Sequence, residues 1–221
     1  MRQKLRSDTP VFGLRITLNA AAVADIAAGL GFDWICIDIP GGPLDWQDAR
    51  EHVRATARSQ TVALVRLADS SPEQIAYAQA LGADGVLIPC PRQAAELQVL
   101  LTRFGEPEPE TEAQAHFIIA PVIQDPRTDQ DLSPLAAIEG LDFFMIDPSI
   151  SDAKESADFA HLVSSLRDAG KQAGVFAMDR EEVQRFLRRQ FRIIGVGSDV
   201  SIVQSEIQTM LNSTNYRRAS A

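Results

Sequence analysis

Arginine and aspartate recur at the ends of short apolar runs in this chain, and that placement makes them candidates for chemistry. Arg15 and Thr17 close the first run, Asp38 the second, Arg66 and Asp69 the third, and Cys90 with Arg92 the fourth. Gln124, Asp125 and Arg127 follow the fifth, Asp147 and Ser149 the sixth, Asp179 the seventh, and Ser198 and Asp199 the eighth. Guanidinium groups match carboxylates and phosphates bidentately, so Arg15 and Arg66 can form a fork for an anionic ligand. They can equally form structural pairs with Asp38 or Asp147, because a guanidinium facing a barrel interior requires an anionic partner. Asp125, Asp179 and Asp199 read as caps of the helices that follow them. Gly195-Val196-Gly197 lacks the third glycine of a nucleotide turn and carries no weight.

The elements that position these residues follow from the apolar pattern. Eight runs are present: Val11 to Thr17, Trp34 to Ile39, Val62 to Leu67, Gly85 to Pro89, Phe117 to Ile123, Phe143 to Ile146, Ala173 to Met178, and Arg192 to Val196. Each has the length of a buried strand. In the second, alternation puts Ile35, Ile37 and Ile39 on one face and Cys36 and Asp38 on the other, so Asp38 faces whatever the strands enclose. The same alternation turns Arg15 away from Leu14 and Ile16, and puts Arg66 on the face of Val62 and Leu64. Helical spacing fills the intervals. Ser71-Pro72-Glu73-Gln74 carries a capping serine, an N-terminal proline and a capping-box glutamine, and Asp179 with Glu182 repeats the logic. Gly31-Phe32-Asp33, Gly82-Ala83-Asp84 and Gly140-Leu141-Asp142 each set a helix-ending glycine before a strand, a weak internal repeat.

Eight strand-helix units predict an α/β fold, a parallel (β/α)8 TIM barrel formed as one domain over residues 1–221. A doubly wound open sheet is the competing architecture, but nothing here marks its switch-point crevice. Barrels of this kind take about 250 residues, so one of 221 has shortened loops. Their active sites lie at the C-terminal ends of the strands. That rule removes the three histidines from the site: His52 and His161 fall in helices and His116 precedes the fifth strand. Gly105 to Ala115, rich in Glu and Pro, reads as a solvated connection.

The formal charge of -9 and a pI near 4.8 exclude nucleic acid and anionic membrane as natural partners. No apolar run approaches the ~18 residues of a membrane span, and Met1 to Pro10 lacks the apolar core of a secretory signal, so a cytoplasmic location is expected. Cys36 and Cys90 read as two buried, reduced thiols.

Gly13-Leu14-Arg15-Ile16, then Ala24-Asp25-Ile26-Ala27-Ala28-Gly29-Leu30-Gly31-Phe32-Asp33-Trp34 running into Ile37-Asp38, resembles the start of the HpcH/HpaI aldolase family. The likeness continues through Val65-Arg66, Gly82 to Pro89, Ile138 to Asp142, Ala169-Gly170-Lys171 and Val196 to Asp199. It implies a barrel and a divalent-metal-dependent enzyme that cleaves 4-hydroxy-2-oxo acids to pyruvate and an aldehyde. It also implies trimers of dimers with exchanged C-terminal helices. The family's second strand ends in Asp-Gly-Glu-His-Ala-Pro, whose histidine is the base; here Gly41 stands in its place. The metal-binding glutamate of Ile-Glu-Thr is replaced in Ile123-Gln124-Asp125, and the aspartate of Gly-Pro-Ala-Asp by Ile150. The glycine-rich substrate segment is absent. Asp38 and Arg66 match, the arginine being one that contacts the oxo acid, and Arg15 stands where the family has tryptophan.

Neutral Gln124 and apolar Ile150 cannot replace two carboxylates around a divalent cation. The expectation is a divergent barrel of this family with a rebuilt, metal-free pocket for a small oxo acid or similar anionic metabolite. Asp38 and Arg66 would carry any catalysis, with Arg15, Gln124, Asp147 and Ser149 binding the ligand. No cofactor is expected; Mg²⁺ or Mn²⁺ enters only in the alternative of a working carbon-carbon lyase with a relocated site, Asp147 beside Asp38. A noncatalytic subunit of a homologous assembly is the third reading. A homo-oligomer, with or without a homologous chain, is expected in each.

Overall fold

The computed structural model describes residues 9–105, 117–125, 132–141, 143–147 and 156–213. Strands and helices alternate in the order β1 (Val11–Ile16), α1 (Ala21–Gly29), β2 (Trp34–Asp38), α2 (Trp46–Thr56), β3 (Val62–Arg66), α3 (Pro72–Ala80) and β4 (Gly85–Pro89). Then follow α4 (Ala94–Leu100), a π turn (Leu101–Gly105), β5 (Ile118–Ile123), α5 (Ser133–Ala136), β6 (Phe143–Ile146), α6 (Ala157–Asp168), β7 (Gln172–Ala177), α7 (Arg180–Arg188), β8 (Ile193–Ser198) and α8 (Asp199–Ser213). Each strand pairs in parallel with the next, and β8 pairs back onto β1, closing the barrel. This is the (β/α)8 barrel that the eight runs predict.

Alternation along the strands divides the core in two. Leu14, Ile16, Ile35, Ile37 and Val65 face the helices, whereas Trp34, Cys36, Leu64, Leu87, Phe143, Met145 and Phe176 fill the barrel. The filling depends on missing side chains. A Cβ added at Gly13 would meet the Trp34 ring at 2.1 Å, and one at Gly195 would meet the Phe176 ring at 2.2 Å. Glycine in a strand marks such close approach. With those gaps, Trp34 and Phe176 pack edge to face, centroids 5.8 Å apart, and Phe176 becomes the shelf beneath the mouth.

Four helix ends use a left-handed glycine before the next strand: Gly31, Gly82 and Gly140, as the repeat predicts, and Gly170 as a fourth. The caps differ in detail from expectation. Ser71 accepts from the Gln74 backbone, but the Gln74 side chain turns to Asp69, so the reciprocal half of the box is missing. Asp179 caps α7 through Glu182 N, while the Glu182 carboxylate accepts from Met178 N. The complete capping box is at Asp45 and Asp48, ahead of α2. Strand ends also shift: β1 stops at Ile16 because the Thr17 N–H is taken by Asp199, and β8 runs on to Ser198.

Arg127, Ser149, Ile150, His116 and residues 106–115 lie outside the described residues. His52 is buried and its Nδ1 lies 2.7 Å from the Asp48 carbonyl, a packing role, and His161 is exposed on α6. Among the described residues no helix is long and apolar enough to cross a membrane.

Candidate functional site

Parallel register sets Arg15 beside Cys36 and Asp38 beside Arg66, all on the interior face. Asp147, one residue past β6, reaches the same point. Four charges therefore converge at the C-terminal mouth. Arg66 Nη1 donates to Asp38 Oδ2 at 2.9 Å and lies 3.2 Å from Asp147 Oδ2. Arg15 Nη2 is 2.7 Å from Asp147 Oδ2, and its Nε is 3.6 Å from Asp38 Oδ2. The structural pairs are formed, as a square of two cations and two anions. Asp38 is its floor, 1% exposed, and its other oxygen accepts from Gly41 N at 3.0 Å.

Arg15 is held differently from Arg66. Its guanidinium lies 3.9 Å above the Phe176 ring, a cation–π contact. Its Nε and Nη2 are buried, and Nη2 is ion-paired with the Asp147 carboxylate. Burial pulls the Arg15 pKa down, and the Asp147 carboxylate more than offsets this, so the group lies above its ordinary value and stays charged. Below it, burial pushes the Cys36 thiol well up, with Asp38 adding to the effect. That thiol is inert. Cys90, pushed up to about 11 by burial, places its thiol near the Pro91 carbonyl rather than in the site.

A cavity of about 430 Å³ opens over this square. Arg15, Asp38 and Arg66 reach it from below, Gly41, Gly42 and Pro43 close one side, and Phe176, Met178 and Val200 another. The Pro40-Gly41-Gly42 bend folds back over the Asp38 carboxylate so tightly that a Cβ at Gly41 would lie 2.4 Å from Asp38 Oδ2. Asp199 clasps the barrel seam: its carboxylate accepts from Thr17 N and Oγ1, Leu18 N and Val200 N.

Gln124 and Asp125 are exposed beyond β5, and Gln124 is not part of the cavity lining. Asp69 is exposed and spends its carboxylate on Ser71 N and Gln74. Asp179 is a helix cap, as expected. Three contributors escaped the sequence reading: Phe176 as the shelf, Gly41 as a closed position, and Asp199 as a seam clasp rather than a cap. Only Phe176 left a signal, an interior aromatic register-paired with Gly195 on β8.

The profile of the HpcH/HpaI aldolase/citrate lyase family matches residues 12–205. The chain belongs to that family. It is 26% identical over 237 residues to a hydroxypyruvate/pyruvate aldolase of Paraburkholderia phytofirmans, covering 90% of this chain and 91% of the relative. It is also 26% identical over 226 residues to a 4-hydroxy-2-oxovalerate aldolase of Novosphingobium aromaticivorans, covering 88% and 86%. Among solved structures it resembles an HpcH/HpaI aldolase/citrate lyase family protein from Burkholderia cenocepacia J2315, with a TM-score of 0.85 at 22% identity over 97% and 98% of the two chains. That likeness supports the barrel.

The family resemblance implies a divalent metal. The described residues do not fit one. No group of three or more His, Cys, Asp or Glu that could hold an ion is present among them. The Oδ2 atom of each mouth carboxylate is ion-paired with both guanidinium groups.

Proposed function

We propose that this HpcH/HpaI-family barrel acts on a small 2-oxo acid as a carbon-carbon lyase of the aldolase type, with guanidinium groups supplying the positive charge at the reacting end. The observation that carries this reading is the pair of guanidinium groups, Arg15 and Arg66, lining one cavity at the strand ends, where fixed positive groups suit a carboxylate. Arg66 keeps the family's place for an oxo-acid contact, and Asp38 holds it there. When the C3–C4 bond of a 4-hydroxy-2-oxo acid breaks, its electron pair passes into the pyruvate enolate while the 4-hydroxyl gives its proton to water and becomes the aldehyde carbonyl; negative charge gathers on the oxo oxygen, and preorganised guanidinium donors stabilise such charge most in a site shielded from water. Hydroxypyruvate, pyruvate and 4-hydroxy-2-oxovalerate, in the relatives' names, are all 2-oxo acids. The test is pyruvate release from 4-hydroxy-2-oxo acids in EDTA and in Mn²⁺. Release in EDTA that Arg66→Met abolishes supports the reading; release only with Mn²⁺ overturns its metal-free part.

A second reading, binding of the oxo acid without turnover, is favoured by Gly41. The family's base position is closed here by the Asp38 carboxylate. Saturable binding with no release under either condition would establish it.

The homo-oligomer is part of the same proposal. On α8, Ile202, Val203, Ile207, Met210 and Leu211 are 46, 47, 53, 61 and 44% exposed, and Ile26 on α1 and Leu30 just past its end are 60 and 75% exposed. Apolar surface at that density is covered in an assembly, and a second copy is the proposed cover. Sedimentation should give an oligomer that Ile207→Glu dissociates; a wild-type monomer would overturn this.

A further inference from the structure

A second cavity, of about 430 Å³, lies at the end of the barrel opposite the mouth, where β7 and β8 begin. The last turn of α6, the Gly170 to Ala173 lead into β7 and the Gln190 to Arg192 lead into β8 frame it. All of these fall within the unbroken described stretch 156–213. Three cations line the cavity, Arg167, Lys171 and Arg192, and no Asp or Glu is among the described residues that do. The chain as a whole carries a formal charge of -9, so the sign is locally reversed.

The cations are held without a carboxylate. Lys171 Nζ donates to the carbonyls of Ile138 and Leu141, at 2.9 and 3.0 Å, and Arg167 Nη2 donates to the Arg189 carbonyl at 3.3 Å. Neutral acceptors fix these two side chains without cancelling their charge. An ammonium has three donors and a guanidinium five, so both keep donors for a ligand. Arg192 is half-buried, and its guanidinium has no partner among the described residues. The ends of α6 and α7 reach the same place, each with about half a negative charge, which together offset about one of the three positive charges.

Gln190 is an independent sign. Its φ is +62°, in the left-handed region, at the turn that follows α7. Four other helix ends fill that position with glycine: Gly31, Gly82, Gly140 and Gly170. A side chain there strains the backbone, and such residues cluster at ligand sites. Here the side chain lines the cavity and sets an amide beside the cations.

We infer that this cavity is a binding site for a small phosphate-bearing anion, separate from the mouth and independent of the oxo-acid reading. A phosphate monoester carries about -1.5 to -2 at pH 7 and presents three strong acceptor oxygens. Two guanidinium groups and an ammonium match both, whereas a single carboxylate would leave the cavity cationic.

The test is isothermal titration of the full chain at constant ionic strength with inorganic phosphate, pyrophosphate and malonate, repeated on Arg167→Gln/Arg192→Gln and on Gln190→Gly. The wild type should bind pyrophosphate saturably, phosphate less tightly, and malonate at least ~10-fold less tightly than pyrophosphate. The double variant, checked for fold by circular dichroism, should lose at least ~10-fold in pyrophosphate affinity. Gln190→Gly relieves the backbone strain, so it should melt higher without ligand and yet bind pyrophosphate more weakly. No saturable binding of pyrophosphate, malonate bound as tightly as pyrophosphate, or an affinity that the folded double variant retains overturns the inference. If the double variant does not fold, an affinity that Gln190→Gly retains in full overturns it instead.

Discussion

Replacing Arg66 by methionine would remove the nitrogen that donates to Asp38 at 2.9 Å and bridges to Asp147 at 3.2 Å. The aliphatic stem is retained, so the loss is mainly charge and hydrogen bonding. Asp38 is 1% exposed and cannot recover water. Truncating one partner of a buried pair costs about 3–5 kcal/mol, chiefly because the other is left uncompensated. Arg15 remains 3.6 Å from the same oxygen and Arg66 itself is 13% exposed, which places the expected loss near the lower end, about 3 kcal/mol. For a chain of this size each kcal/mol shifts the melting temperature by about 2–4 °C, so the variant should melt roughly 6–12 °C lower. Adding Asp38→Asn keeps the acceptor for Gly41 N and removes the stranded charge, so the double variant should regain about 1–2 kcal/mol over Arg66→Met. Thermal and urea unfolding followed by circular dichroism would read both numbers. A shift below about 2 °C for Arg66→Met would refute the reasoning, as would two losses that simply add.

Asp199→Ala removes four accepted hydrogen bonds at the β1–β8 seam and strands the Thr17 and Leu18 amides; a loss of about 3 kcal/mol is expected in urea unfolding, and a loss under ~1 kcal/mol would show that the barrel closes without the clasp. Gly41→His should not restore the family's base, because the new Cβ would lie 2.4 Å from Asp38 Oδ2; the expected outcome is about 1–3 kcal/mol of destabilisation with no gain in pyruvate release. Cys90, held up to about 11, should alkylate slowly at pH 8 and faster as pH rises toward that value, since the thiolate is the reactive form. Cys36, with no exposure, should stay unmodified until the chain unfolds; mass spectrometry after timed iodoacetamide treatment would distinguish the two thiols.

The barrel was legible because its strands obey the period-two rule without exception at the positions that matter. Ile35 and Ile37 face helices while Cys36 and Asp38 face inward, so one alternation carries both the core and the charge. The convergence of Arg15, Asp38, Arg66 and Asp147 was legible for a related reason: a barrel brings strand ends together, and interior arginines must find carboxylates. Gln124 shows the limit. It occupies the family's glutamate position in sequence, yet it is exposed past the end of β5, because alternation no longer fixes direction once the strand has stopped. Gly41 was recognised as a missing side chain but not as an excluded one; that depends on how Pro40 to Gly42 folds over Asp38, which no local pattern encodes. Asp199 likewise looked like a helix cap from sequence, and its partners 181 and 182 residues away are a consequence of ring closure.

If the guanidinium square is the oxo-acid site, pyruvate titrated into EDTA-treated protein binds there, and Arg15→Met and Arg66→Met run alongside lose that binding. Saturable one-site binding by the wild type should weaken at least ~10-fold in each variant. Pyruvate binding that both variants retain at full strength, or that appears only when Mn²⁺ is supplied, would contradict it.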